Sequence, residues 1–109
     1  MGYNIGSTEI IDDNRVLKNY RANSVIISAN TSAIAGCIYV ANNNLTLSLP
    51  SSPTAGDMIG FSNQSGNTKC IIAANGSNIN GITQDLKVDI KNASFYLQYT
   101  NSSRGWIIF

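Results

Sequence analysis

Short β-prone runs, each closed by a turn signal, are the feature of this sequence that most restricts its fold. From Ser24 onward they recur at intervals of about 8–12 residues. Between Leu45 and Leu49, leucine alternates with Thr or Ser, as in a strand with one buried face. Pro50 ends that run because proline has no N–H to donate to a ladder. The pairs Asn75–Gly76 and Asn80–Gly81 predict tight turns with positive φ at both positions.

These signals predict an all-β domain over 24–109, a compact antiparallel β-sandwich or barrel of about eight or nine short strands. The antiparallel arrangement is expected because tight connections join neighbouring antiparallel strands. No tandem repeat of fixed period is visible. The predicted strands are Ser24–Ser28, Cys37–Val40, Leu45–Leu49, Met58–Phe61, Cys70–Ala74, Leu86–Ile90, Phe95–Tyr99 and Trp106–Phe109, with short pieces around Ile79 and Ile82.

The first 23 residues differ from the rest because their apolar residues are irregularly spaced and form no helical stripe. We predict an extended N-terminal arm over 1–23. Isolated apolar side chains on such an arm need a partner surface to bury them. The basic residues of the arm lie beside Asp12 and Asp13, and this mixture of charges favours a solvated segment. The residues predicted to contact a partner are Ile5, Ile10, Ile11, Arg15, Val16, Leu17 and Arg21.

The chain is poor in groups that perform catalysis. It has no histidine, which removes the commonest general base and the commonest metal ligand. Asp57 and Asp85 are the pair that could face each other across a glycosidase cleft. Since each adjoins a predicted strand, bonding to nearby backbone N–H groups is the favoured interpretation. We therefore expect no catalytic residue, no metal, no cofactor and no enzymatic activity.

Charge and hydropathy restrict the partners further. Only 12% of residues are charged and the net charge is +1, which gives no basis for nucleic-acid binding. No apolar run approaches the length of a membrane span, and the N-terminus lacks the features of a signal peptide. Cys37 and Cys70 lie in strand-like runs, which favours two buried, reduced thiols, with a disulfide as the alternative.

The aromatic residues near the C-terminus allow two interpretations. Tyr96, Tyr99 and Trp106 could form a platform that stacks on sugars or contacts protein. Alternatively, Trp106 and Phe95 belong to the core of the last two strands. The second interpretation is favoured because both residues fall on alternating inward positions.

The segment from about Asn44 to Phe109 resembles a recurring β domain of phage virion proteins, found in tail fibres, appendages and small head proteins. A similar connecting segment, with an Ile-Asp-x-x-Arg-x-Leu-x-Asn pattern, precedes folded domains in phage fibres. The resemblance implies a virion structural role, usually as a trimer, and supplies no catalytic residues. The residues that carry it are Leu45–Pro50, Pro53–Asp57, Ser65–Gly66, Ile79–Gly81, Phe95–Tyr99, Gly105–Trp106 and, in the connecting segment, Ile5–Asn19.

The resemblance leaves two positions on the particle open. Fibres are long proteins, so a chain of 109 residues favours a trimeric capsid decoration (cement) protein. Its partners would be two further copies and the major capsid protein, and it would be assembled in the host cytoplasm. The alternative is a receptor-binding module at the tip of a tail fibre or head fibre, with fibre or tail proteins as partners and a host glycan as ligand.

Overall fold

The computed structural model describes residues 23–67 and 69–109, which fold into two β-sheets. Within these residues there is no helix, and hence none that could span a membrane. The all-β prediction is confirmed. The strands are β1 (Asn23–Ile27), β2 (Thr31–Ser32), β3 (Cys37–Ala41), β4 (Thr46–Ser48), β5 (Met58–Asn63), β6 (Cys70–Ala73), β7 (Leu86–Val88), β8 (Ser94–Asn101) and β9 (Gly105–Ile108).

The two sheets are mixed, which corrects the antiparallel prediction. Sheet 1 has the strand order β1-β3-β5-β8-β9, and sheet 2 has the order β2-β4-β6-β7. The pairs among β1, β3 and β5 are parallel, and so are those among β2, β4 and β6. The pairs that involve β7, β8 or β9 are antiparallel.

Parallel pairing arises because the first six strands alternate between the sheets. The antiparallel prediction assumes that a short connection returns the chain to a neighbour in the same sheet, but here the short connections cross to the opposite sheet. Each strand therefore pairs with the next strand but one, and the chain winds through three turns of a flattened coil. These turns begin at Asn23, Cys37 and Met58. Their unequal lengths explain why the sequence shows no fixed period.

The predicted tight turns are confirmed. Asn75 and Gly76 have φ of 53° and 95°, and Asn80 and Gly81 have φ of 52° and 78°. Ile79 and the residue after Gly81 exchange both backbone hydrogen bonds, so Asn80–Gly81 closes a two-residue hairpin. This hairpin lies along β9, where the Asn80 N–H donates to the Trp106 carbonyl at 2.7 Å. It thereby pairs the outer edge of β9, which would otherwise expose backbone groups.

The core lies between the two sheets, as expected of a sandwich. Inward residues of both sheets alternate with outward ones along the strands, so one layer of apolar side chains fills the interior. Its buried members are Ile27, Ala33, Tyr39, Ala41, Leu45, Leu47, Leu49, Ile59, Phe61, Cys70, Ile72, Ala74, Ile79, Val88, Leu97 and Trp106.

Strand β2 was not predicted, because Thr31–Ser32 is too short to show a pattern. Both cysteines carry free thiols, as the favoured interpretation expects, with Cys70 buried and Cys37 half-buried. The predicted arm over 1–23 lies outside the described residues apart from Asn23, with which β1 begins.

Candidate functional site

The two aspartates singled out by the sequence hold loops. An Asp57 carboxylate oxygen accepts a hydrogen bond from the Thr54 N–H at 2.9 Å. An Asp85 oxygen accepts one from the Ala74 N–H, also at 2.9 Å. Both therefore bond backbone N–H groups, as favoured from the sequence. Within 23–67 and 69–109, no three Cys, Asp or Glu side chains cluster as metal ligands would.

The three candidate aromatic residues do not share one surface. Trp106 is fully buried, which confirms its place in the core. Tyr99 packs beside it on the inner side of sheet 1, with ring centroids 5.5 Å apart in an edge-on arrangement. Tyr96 lies on the outer side and is 46% exposed. A sugar could therefore stack on Tyr96 but not on a platform of all three. Phe95 is partly buried against the core.

Asn63 is a buried polar residue that no pattern in the sequence indicated. Its Nδ2 donates to the carbonyls of Asn67 at 2.8 Å and of Ile90 at 3.1 Å. Its Oδ1 accepts from the Ser65 hydroxyl at 2.6 Å. These bonds join the loop after β5 to the loop before β8. Asn63 thus binds the 64–67 loop from inside the protein.

The outer side of sheet 1 carries an unusual set of side chains. Strand register places Ser24, Ile38, Gly60, Tyr96 and Phe109 in one row across the five strands. No outward position of the five strands carries a charged residue. The exposed members include Ile26 at 71% and Phe109 at 66%. We call this surface the apolar face and define it by Ile26, Ile38, Val40, Tyr96, Ile107 and Phe109.

Several of the polar side chains on the same side of sheet 1, Ser62, Ser94 and Gln98 among them, bond within the protein. The Ser62 and Ser94 hydroxyls share a hydrogen bond of 2.7 Å. The Gln98 amide donates to the Gly56 carbonyl at 3.4 Å. These groups therefore already have partners, which lowers the cost of removing them from water.

A groove of about 460 Å³ runs along the apolar face, and Gly60 forms part of its floor. A Cβ at position 60 would come within 2.9 Å of Ile38 Cγ1 and 3.1 Å of Tyr96 Cε1. Glycine thus lets these two side chains close over the backbone. Tyr96 and Phe109 form the raised wall of the groove.

The outer side of sheet 2 differs in character. Strand register places Thr46, Ile71 and Lys87 in one row, and Ser32, Ser48 and Ala73 in the next. Three of these six side chains are small and polar, Ile71 and Ala73 are apolar, and Lys87 is charged. The contrast between the two sheets marks the apolar face as the distinctive surface of the described residues.

Runs of consecutive apolar residues occur in strands of both sheets, Cys70–Ala73 of sheet 2 among them. Val25–Ile27 and Ile107–Ile108 are apolar at consecutive positions, so both sides of those strands are apolar. Such runs are typical of strands that are covered on both faces. The predicted arm contacts Ile5, Ile10, Ile11, Arg15, Val16, Leu17 and Arg21 lie outside the described residues.

Comparisons with known proteins identify no relative from which a function could be inferred. No model of a known protein family matches the chain, and a search of curated proteins finds no match.

Proposed function

We propose that this protein is a bacteriophage virion structural protein, a trimeric capsid decoration protein that binds and stabilises the head lattice. The observation that carries the proposal is the apolar face, which is uncharged, is built on a hydrogen-bonded sheet and is exposed at Ile26, Tyr96 and Phe109. Contiguous exposed apolar surface is typical of a site where protein binds protein. The resemblance of Asn44–Phe109 to virion β domains supplies the kind of assembly.

In this proposal the two parts of the chain have separate roles. The β domain forms the body of the trimer on the particle surface. The apolar side chains of the predicted arm, with Ile10, Ile11 and Val16 among them, bind the major capsid protein. The proposal assigns no reaction to the chain, and the bonds of Asp57 and Asp85 to backbone N–H groups are in keeping with that.

Binding to purified phage heads tests the proposal. Heads that lack the protein are mixed with the full-length chain, and co-sedimentation is measured. We expect saturable binding by the wild type and loss of binding in Ile10→Asp/Val16→Asp. The control variant Ile34→Glu, which alters an exposed loop residue, should bind as the wild type does. Absence of wild-type binding would overturn the decoration role.

The alternative role is a receptor-binding tip module of a tail fibre or head fibre. The hydrogen bonds that Asn63 makes to the loop 64–67 favour it, because a polar loop that is already held in one conformation loses less entropy on binding a glycan. Exposed Tyr96 is the described aromatic residue on which a sugar could stack.

Binding to host cells tests this alternative. We expect labelled wild-type protein to bind the cells, and Tyr96→Ala to weaken binding at least tenfold. Ile34→Ala, at an exposed position in the loop after β2 and off the apolar face, is the matched control. No binding of the wild type to cells or to purified envelope polysaccharide would exclude the tip module.

A further inference from the structure

The chain contains two Asn–Gly pairs, Asn75–Gly76 and Asn80–Gly81, and both form exposed tight turns. Glycine has no side chain to hinder its nitrogen, so in such a pair the backbone can attack the side-chain amide of the preceding asparagine. We propose that Asn75–Gly76 is a site of spontaneous covalent modification, whereas Asn80–Gly81 is protected by the fold. This chemistry goes beyond the proposed function and does not depend on it.

The reaction at position 75 needs only the two residues of the turn and water. The Gly76 nitrogen attacks Cγ of Asn75, so that an N–Cγ bond forms and the Cγ–Nδ2 bond breaks. Ammonia leaves with the proton of the Gly76 N–H, and a five-membered imide ring remains. Water then opens the ring at either carbonyl and gives aspartate or isoaspartate. The net change converts an amide and water to a carboxylate and ammonium, without oxidation or reduction.

The fold holds both reacting groups of the Asn80–Gly81 pair. The Gly81 N–H donates to the Arg104 carbonyl at 2.8 Å, so the attacking nitrogen is engaged. The Asn80 side chain is held as well, because its Oδ1 accepts a hydrogen bond from the Ile108 N–H at 3.2 Å. The Asn80 N–H donates to the Trp106 carbonyl at 2.7 Å. Attack therefore requires the hairpin to detach from β9 and from the turn before it.

The Asn75–Gly76 turn is held by fewer contacts. Among the described residues, the Gly76 N–H has no hydrogen-bond acceptor, and nothing lies within 4 Å of the position of a Cβ on Gly76. The Ser77 N–H closes the turn by donating to the Ala74 carbonyl at 3.3 Å, which is long for such a bond. The Asn75 side chain makes one bond, from Nδ2 to the Leu49 carbonyl at 2.8 Å. Attack on Cγ therefore requires the opening of one weak turn and the rotation of one side chain.

Modification at position 75 weakens the carboxyl ends of β4 and β6. Aspartate replaces the donor to the Leu49 carbonyl with an oxygen that only accepts. It also brings a second negative charge to a turn that already binds a carboxylate, since the Ala74 N–H donates to Asp85 at 2.9 Å. Isoaspartate adds an atom to the backbone and disrupts the turn itself. We therefore expect the modified chain to unfold at a lower urea concentration than the unmodified chain.

Peptide mapping of the full-length wild-type protein tests the site. Native protein and guanidinium-unfolded protein are incubated at the same mildly alkaline pH. Mass spectrometry, with chromatographic separation of the isomers, then quantifies aspartate and isoaspartate at positions 75 and 80. In the unfolded chain the two pairs should react at similar rates. In the native protein we expect Asn75 to react faster than Asn80 by about tenfold or more, because Asn80–Gly81 has to break several additional hydrogen bonds.

Two matched variants assign the native signal. Asn75→Gln keeps an amide but requires a larger ring, so it should abolish most of the modification, whereas Asn80→Gln should leave it unchanged. Circular dichroism establishes that each variant is folded. If Asn75→Gln does not fold, the comparison of positions 75 and 80 in the wild type decides alone. Equal native rates at the two positions, or a native Asn75 that stays intact while the unfolded chain reacts, would overturn the proposal.

Discussion

At the scale of single residues, backbone conformation and close approach decide which glycines are replaceable. Gly105 and Gly76 both have positive φ, at 71° and 95°. A Cβ at Gly105 would overlap with the backbone of Asn78, whereas nothing lies within 4 Å of one at Gly76.

We expect Gly76→Ala to lower the free energy of unfolding by about 1–2 kcal/mol, from left-handed strain alone. Gly105→Ala should cost about 3 kcal/mol or more, because backbone must move as well. Urea unfolding of both variants measures the difference, and equal losses would contradict this packing of β9.

The buried side chain of Asn63 gives a second residue-scale prediction. Asn63→Ala leaves the carbonyls of Asn67 and Ile90 without their donor. We expect a loss of about 2–4 kcal/mol in the free energy of unfolding. Asn67→Ala is the control, since its exposed amide makes one long bond of 3.4 Å. Its loss should stay below about 1 kcal/mol. Similar losses in the two variants would show that Asn63 does not join the loops as described.

The burial of Tyr39 predicts how the free energy of unfolding changes at alkaline pH. Burial raises the pKa of Tyr39 above its usual value of 10.0, although the hydrogen bond from the Ile34 N–H acts in the opposite direction. Because the pKa of Tyr39 is higher in the folded state, the protonated tyrosine makes its full contribution to the free energy of unfolding below about pH 10. That contribution is lost as the pH rises through the folded-state pKa of Tyr39. Tyr39→Phe cannot ionise, so its free energy of unfolding should fall less steeply above pH 10. Denaturant unfolding at several alkaline pH values tests this, and parallel pH profiles would contradict it.

At the scale of elements, position within the sheet predicts local stability. Strand β5 pairs on both sides, with β3 and β8, whereas β7 pairs only with β6 among the described strands. Amide hydrogen exchange should therefore be slowest in the central strands β5 and β4 and fastest in β2 and β7. Mass spectrometry of peptic fragments resolves these segments. Exchange in β7 as slow as in β5 would show that an additional strand pairs with β7.

Strand positions could be predicted from the sequence because they depend on local signals. Alternation at Leu45–Leu49, the stop at Pro50 and the Asn–Gly turns each reflect the conformation of a few residues. Pairing could not be predicted in the same way. Whether a connection such as 28–30 returns to the same sheet or crosses to the other depends on packing between sheets. The mixed topology therefore could be seen only in the structure. The same holds for the position of the residues of the apolar face on one side of sheet 1.

At the scale of the whole molecule, the two sheets have different outer sides. The outer side of sheet 2 combines small polar residues with Ile71 and the charged Lys87, whereas sheet 1 presents the uncharged apolar face. No strand among the described residues covers that face, and exposed apolar patches carry a risk of aggregation. In the trimer that we propose, three copies would share a larger core than one small domain can form.

The native mass of the full-length wild-type protein, measured by light scattering coupled to size exclusion, tests trimeric assembly most directly. We predict the mass of three chains, maintained on dilution through the micromolar range. A mass of one chain at every concentration would contradict trimeric assembly, because the apolar face would then be compatible with exposure to solvent or be covered within a single chain.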